Sequence, residues 1–321
     1  MSHDREHRRR TTALAAVTAT LTAAVALAPA AGATAEEPVD VERVAYVEVN
    51  SNDLRNVADY RLEGTGEPAF DTAVIFAANI NHDGESAYLH LNDRVTWTLE
   101  NADTQIRPLQ EQGTDVLLSI LGNHDSAGLA NFETYAEADA FAAQLADVVE
   151  RYDLDGIDFD DEYSDYSSRP ANDYSFLYLA KALRERLGPD KLITFYAIGP
   201  AYATTEYDGL RLGDYVDYAW NPWYGTFDPP TVAGLGKGEL SPAAIDLSRT
   251  SLGTAVALTE RTVAEDYGAL ITYNLTATNQ EAYLSEITRR LTGHDTVHVS
   301  SEGSAPTSTG EAATGGIPAM R

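Results

Sequence analysis

Five acidic residues fall within the eight-residue run Asp155-Gly156-Ile157-Asp158-Phe159-Asp160-Asp161-Glu162. In an extended strand alternate side chains share a face, so Asp158, Asp160 and Glu162 point one way and Ile157 and Phe159 the other. Neighbouring acids on that face sit roughly 6.6 Å apart from the strand rise, and two charges at that distance repel by about 2.5 kcal/mol at an effective dielectric near 20. Crowding of that size keeps at least one carboxyl protonated near neutrality. A proton held at the end of a strand is what a general acid requires. The same residues admit two other readings. Counted from Asp158, an EF-hand loop finds Tyr163 where it needs its invariant glycine, which leaves a looser calcium site or a solvated acidic turn. Asp161 breaks the alternation and is expected to face outward in a structural role.

An acid-bearing strand needs a scaffold, and the rest of the chain supplies its pattern. Short apolar or β-branched runs at 44–49, 73–78, 116–121, 156–162, 192–198, 215–220, 243–245 and 268–273 read as eight strands. Between them, apolar residues recur at three- and four-residue spacing over 133–152 (Phe141, Leu145, Val148, Val149, Tyr152), 174–187 (Phe176, Leu179, Leu183, Leu187), 249–267 and 279–291. Eight strands alternating with helices predict a single-domain (β/α)8 TIM barrel over 36–293, with one or two barrel helices degenerate because the stretch at 210–217 is too short for a full one. An open doubly wound sheet is the structural alternative. No GxGxxG or GxxxxGK[ST] follows any strand, so a nucleotide site has no support.

The 321 residues carry 22 Lys and Arg against 50 Asp and Glu, a formal charge of −28 that argues against nucleic acid and anionic membrane as partners. There is no cysteine, which excludes disulfides, thiolate metal sites and a cysteine nucleophile. Arg5, Arg8, Arg9 and Arg10 precede an Ala/Leu/Val/Thr run and then small residues before Glu36, so 1–35 reads as a secretory signal peptide. The polar, Gly/Ser-rich end from 294 to 321 reads as a disordered tail. A secreted, extracellular monomer, free of the membrane once the leader is removed, is the expectation.

The acidic run resembles the DGxDxDxE signature of glycoside hydrolase family 18. The likeness to the family's endo-β-N-acetylglucosaminidases extends through Ala45-Tyr46-Val47-Glu48-Val49-Asn50, Val74 to Asn81, Gln105 to Gln110, Leu117 to His124, Asp217 to Pro222, Leu240 to Ala244 and Thr272 to Leu275. Asn221-Pro222-Trp223-Tyr224 stands where the family's chitinases carry Met-x-Tyr-Asp. The resemblance implies hydrolysis of the β1,4 bond between the two core GlcNAc residues of N-linked glycans, high-mannose and hybrid, by a retaining, substrate-assisted route. It implies Glu162 as acid and then base, Asp160 as the residue that orients the 2-acetamido group, Asp158 as its proton-sharing neighbour, and Tyr224 as the donor to the acetamido carbonyl. Tyr46, Glu48, Phe76, Asn79, Asn81, Tyr196 and Tyr273 at strand ends, with Asn221 and Trp223, are candidate sugar contacts, and core packing is the alternative for each. His124 is expected to structure its loop. No cofactor or metal is implied. A chitinase-type hydrolase and a non-catalytic sugar-binding barrel are the rival readings, the latter disfavoured by the acid at Glu162.

Overall fold

The computed structural model describes residues 40–299. The expected leader, and the expected tail from 300 on, lie outside the described residues. Nine parallel strands form the central sheet: β1 Glu42–Glu48, β2 Thr72–His82, β3 Asp115–Leu121, β4 Gly156–Asp160, β5 Leu192–Tyr196, β6 Tyr218–Trp220, β7 Leu240–Ser241, β8 Ala244–Asp246 and β9 Ala269–Tyr273. Their order is β7-β6-β5-β4-β3-β2-β1-β9-β8, so β1 pairs with both β2 and β9 and the sheet curls round on itself. That ring excludes the open doubly wound sheet and gives the predicted barrel.

The expected seventh strand is split. Its two pieces, β7 on β6 and β8 on β9, flank Pro242-Ala243. Proline has no N–H to give a ladder, and the gap is bridged by a side chain instead. The Ser241 hydroxyl accepts from Ile271 N (3.2 Å) and donates to Ala243 O (2.8 Å).

The pleat sorts the side chains. Ala45, Val47, Ile157 and Phe159 face outward into the layer between sheet and helices, while Val44, Tyr46, Val74, Leu117, Trp220 and Ile271 fill the barrel interior. Four helices cover the outside where periodicity predicts them: α2 Tyr135–Tyr152, α3 Ser175–Leu187, α4 Leu252–Ala264 and α5 Glu281–Thr292, with α1 at Asp93–Glu100 before β3. Thr134 caps α2 by accepting from Glu137 N, and Ser251 caps α4 by accepting from Thr254 N. Degeneracy goes further than expected: in the β1–β2, β5–β6 and β6–β7 connections the helical parts are short turns, at Leu54–Asp59, Gly199–Tyr202, Leu212–Asp214 and Lys237–Glu239.

At the far end, Thr296–His298 pairs antiparallel with Tyr60–Leu62. Order therefore runs past the expected boundary at 294, through His294, Asp295 and this strand. Thr296 is buried with its hydroxyl 2.9 Å from that of Thr288, and the His298 ring stands edge-on to Tyr60 at 5.0 Å. Three residues of alternation are too few to register as a strand in sequence.

The base of the barrel holds a strained carboxyl. Burial, together with neighbouring Asp71 and Asp115, pushes Glu42 up to about 8, against the Thr72 hydroxyl that donates to it and the nearby Arg43 guanidinium. The unfolded chain loses this proton near 4.5 while the folded one keeps it, so stability falls as pH rises from 4.5 towards 8. Glu42→Gln is expected to flatten that slope and to raise the melting temperature at pH 8 relative to wild type. Parallel melting curves at pH 5 and pH 8 check it, and an equal shift at both would remove the assignment.

Candidate active site

β4 delivers the acids because its start is locked. The Asp155 carboxylate accepts from Val116 N (2.9 Å) and Gln110 Nε2 (2.8 Å), and Leu192 N donates to Asp155 O. Gly156 allows β5 to press close: a Cβ there would meet Leu192 O at 2.0 Å. Two of the run's residues thus set the strand and do no chemistry. Gly122 does the same for Glu162, whose carbonyl would lie 2.2 Å from a Cβ at that position.

Asp158 is fully buried inside the ring. It accepts from Ser119 Oγ on β3 (2.7 Å), Thr194 Oγ1 on β5 (2.6 Å) and Trp220 Nε1 on β6 (3.2 Å). Burial raises it to about 6 in spite of these donors. Asp160, 4% exposed, is pushed well above the ordinary carboxylate range by burial and then by Glu162, Asp158 and Asp161. Its Oδ1 has no hydrogen-bond partner among the described residues. Glu162 lies two residues past the strand end, half-buried at the cleft, and desolvation raises it. The three carboxyls therefore run from the barrel interior to the surface, and burial shifts each toward its protonated form. Asp161 faces away, as expected, but is buried: it accepts from Ala201 N (2.7 Å) and from the Tyr166 hydroxyl and so holds the next loop.

Opposite the acids, the Tyr224 ring is 38% exposed to the cleft and stacks on Tyr273 (5.1 Å, 24°), and its hydroxyl meets that of Tyr196 at 3.2 Å. Burial raises the Tyr224 phenol, which stays a donor. An open cleft of about 1450 Å³ lies over this group at the C-terminal ends of the strands. It is lined by nine of the expected residues: Glu48, Phe76, Asn79, Asp160, Glu162, Tyr196, Trp223, Tyr224 and Tyr273.

Four expected residues are placed elsewhere. Asp158 and Tyr46 form the layer beneath, with the buried Tyr46 hydroxyl set against the Asp158 carboxyl. Asn81 stands off the cleft, taken up by Asn123 (3.1 Å) and Tyr88 (3.5 Å). Asn221 is a correction. It is fully buried, donates to Pro242 O (2.9 Å) and accepts from Trp223 N (2.8 Å), so it fastens the turn that presents Tyr224 and cannot reach a sugar. His124 does order its loop, with positive φ and its N–H on Tyr163 O, and it also lines the cleft. Sequence reading missed His90, Asn92, Asn123, Asp246 and Arg249. His90 reaches the cleft because β2 runs on to His82 and returns as the antiparallel strand Ala87–His90, a local hairpin that the short 73–78 run did not announce.

A nearly closed parallel barrel, its one seam at the split seventh strand, with stacked carboxyls at the mouth of its fourth strand, an aromatic wall facing them and an open cleft above defines a barrel glycosidase. The chain belongs to family 18: the family described as Glycosyl hydrolases family 18 matches residues 42–296. It is 50% identical over 253 residues to an endo-beta-N-acetylglucosaminidase of Flavobacterium sp. (strain SK1022), covering 78% of this chain and 80% of that one. To endo-beta-N-acetylglucosaminidase F1 of Elizabethkingia meningoseptica it is 34% identical over 248 residues, 74% and 72% of the two chains. The crystal structure of EndoBT-3987 from Bacteroides thetaiotamicron in complex with Man9GlcNAc2Asn superposes with a TM-score of 0.71 at 25% identity, covering 84% of this chain and 70% of that one.

Proposed function

We propose that the chain is an endo-β-N-acetylglucosaminidase that hydrolyses the β1,4 bond between the two core GlcNAc residues of N-linked glycans. The observation that carries this reading is the carboxyl ladder on β4, with a half-buried acid at the cleft and an unpartnered buried oxygen next to it, facing a tyrosine hydroxyl across the cleft. The identity to two enzymes of that name supports it, as does the likeness to a structure holding Man9GlcNAc2Asn.

In the first step the substrate's own acetamido oxygen forms a bond to the anomeric carbon while the bond to the leaving O4 breaks. Glu162 gives its proton to that O4. The Asp160 carboxylate accepts from the acetamido N–H and offsets the positive charge of the oxazolinium, with Asp158 sharing the displaced proton. Tyr224 donates to the acetamido carbonyl and fixes its approach. In the second step Glu162, now a carboxylate, takes a proton from water as the water oxygen adds to the anomeric carbon and the acetamido bond breaks. Two displacements retain the anomeric configuration. The basic, then apolar, then small-residue pattern of 1–35 supports export, and the extracellular glycoprotein surface is where such a substrate is met.

Mass spectrometry of a high-mannose glycoprotein incubated with residues 36–321 tests the reading. One GlcNAc left on each asparagine is the expected product. An untouched glycoprotein together with cleavage of chitin oligomers would replace it with the chitinase reading.

A further inference from the structure

Past the stacked Tyr224 and Tyr273 the cleft continues over the end of β8 and the loop after it. Asp246, the last residue of β8, is 2% exposed yet borders the cleft. Its Oδ1 is satisfied by Ser248 N (2.8 Å) and Ser248 Oγ (2.6 Å). Its Oδ2 has only Arg249 Nε at 3.6 Å, too long for a hydrogen bond. That oxygen is held only by the charge of Arg249 and keeps lone-pair capacity that a ligand hydroxyl can use. The Arg249 side chain is 68% exposed, and it is the one Arg or Lys among the residues lining the cleft. Acceptor and donor thus sit side by side and face the same space, the arrangement that grips two adjacent hydroxyls of a neutral pyranose.

The position says which sugar. Glu162 serves the leaving oxygen on the β4 side, and Tyr224 serves the acetamido group. Asp246 lies close enough to Tyr273 to raise its phenol, and β8 is not a neighbour of β4 in the sheet, so the pair flanks the aromatic side of the cleft, the side this reading gives to the glycan arm. We propose that Asp246 and Arg249 form a hydroxyl clamp for a mannose of the glycan arm, Asp246 Oδ2 accepting from one hydroxyl and the Arg249 guanidinium donating to its neighbour. The clamp rests on the proposed endoglycosidase reading and adds a specificity determinant to it.

The test compares wild type, Arg249→Gln, Arg249→Lys and Asp246→Asn on a high-mannose glycopeptide. The clamp predicts that KM rises about tenfold in Arg249→Gln and Asp246→Asn with kcat held within threefold, that inhibition by the released mannose oligosaccharide weakens by the same factor, and that Arg249→Lys recovers part of the loss. Arg249 is exposed, so its Gln variant should melt with wild type and keeps the test open if Asp246→Asn folds poorly. Unchanged KM and product inhibition in Arg249→Gln, or a fall in kcat alone, overturns the clamp. Wild type failing to cut the glycopeptide at all overturns the endoglycosidase reading itself, and the clamp with it.

Discussion

Replacing Glu162 by glutamine should lower kcat on a high-mannose glycopeptide by about 10³-fold, within the range a positioned general acid supplies, while KM stays near its wild-type value. Glutamine keeps the shape and the hydrogen-bonding capacity of the side chain but has no proton to give, and the departing sugar O4 is too basic to leave as an alkoxide. Glu162 is half-buried and Asp161, next to it, carries the structural bonds to Ala201 and Tyr166, so the variant should retain its circular dichroism and melting temperature. Burial lifts the Glu162 carboxyl above its ordinary value, and that sets the sign of the pH response. The first step needs the protonated form, so wild-type activity is retained to a higher pH than an exposed glutamate would allow and is lost as pH rises through the folded value. A drop of less than tenfold in the variant would assign the proton to another group.

Asp160→Asn is expected to change activity and stability in opposite directions. Asparagine still offers an oxygen to the acetamido N–H but no negative charge to face the oxazolinium, and a preorganised group of this kind is worth about 10² to 10³ in kcat. In the folded state Asp160 holds its proton well above 3.8 because it is buried and flanked by Glu162, Asp158 and Asp161. The unfolded chain releases that proton near 3.8, so the folded state binds more protons and stability is lost as pH rises from 3.8 through the folded value. The variant lacks this penalty. Its melting temperature should exceed that of wild type at neutral pH and approach it at pH 3.5. Activity assays beside thermal melts at the two pH values check both halves, and a variant that is both inactive and less stable at pH 7 would show that Asp160 holds the fold together.

The acids were legible in sequence because a barrel strand of five residues has a two-residue period and polar residues on its inner face are rare enough to stand out. The same period exposed the ring, since Ala45 and Val47 alternate with Val44 and Tyr46 as Ile157 and Phe159 do with Asp158 and Asp160. What was not legible lay where backbone bonds, not side-chain pattern, decide position. Asn221 before a proline at a strand end looks like a ligand contact, and only its bonds to Pro242 and Trp223 reveal a fastener. Asp246 ends, and Arg249 follows, a strand of three residues, too short to mark its own C-terminal end, so nothing in the letters put them at a cleft. The strand at 296–298 draws its order from Tyr60–Leu62, more than 200 positions earlier in the chain.

The broken seventh strand leaves free backbone groups in the barrel wall, and the turn carrying Tyr224 uses them. Gly225 N donates to Ala244 O, Asp228 N to Pro242 O, and the Asn221 amide to Pro242 O. The segment that carries Tyr224, the proposed donor to the acetamido group, is thereby tied to the scaffold by backbone hydrogen bonds. Its ordering entropy is spent during folding and not at each turnover, so the tyrosine proposed to meet the scissile sugar is in place before the substrate arrives.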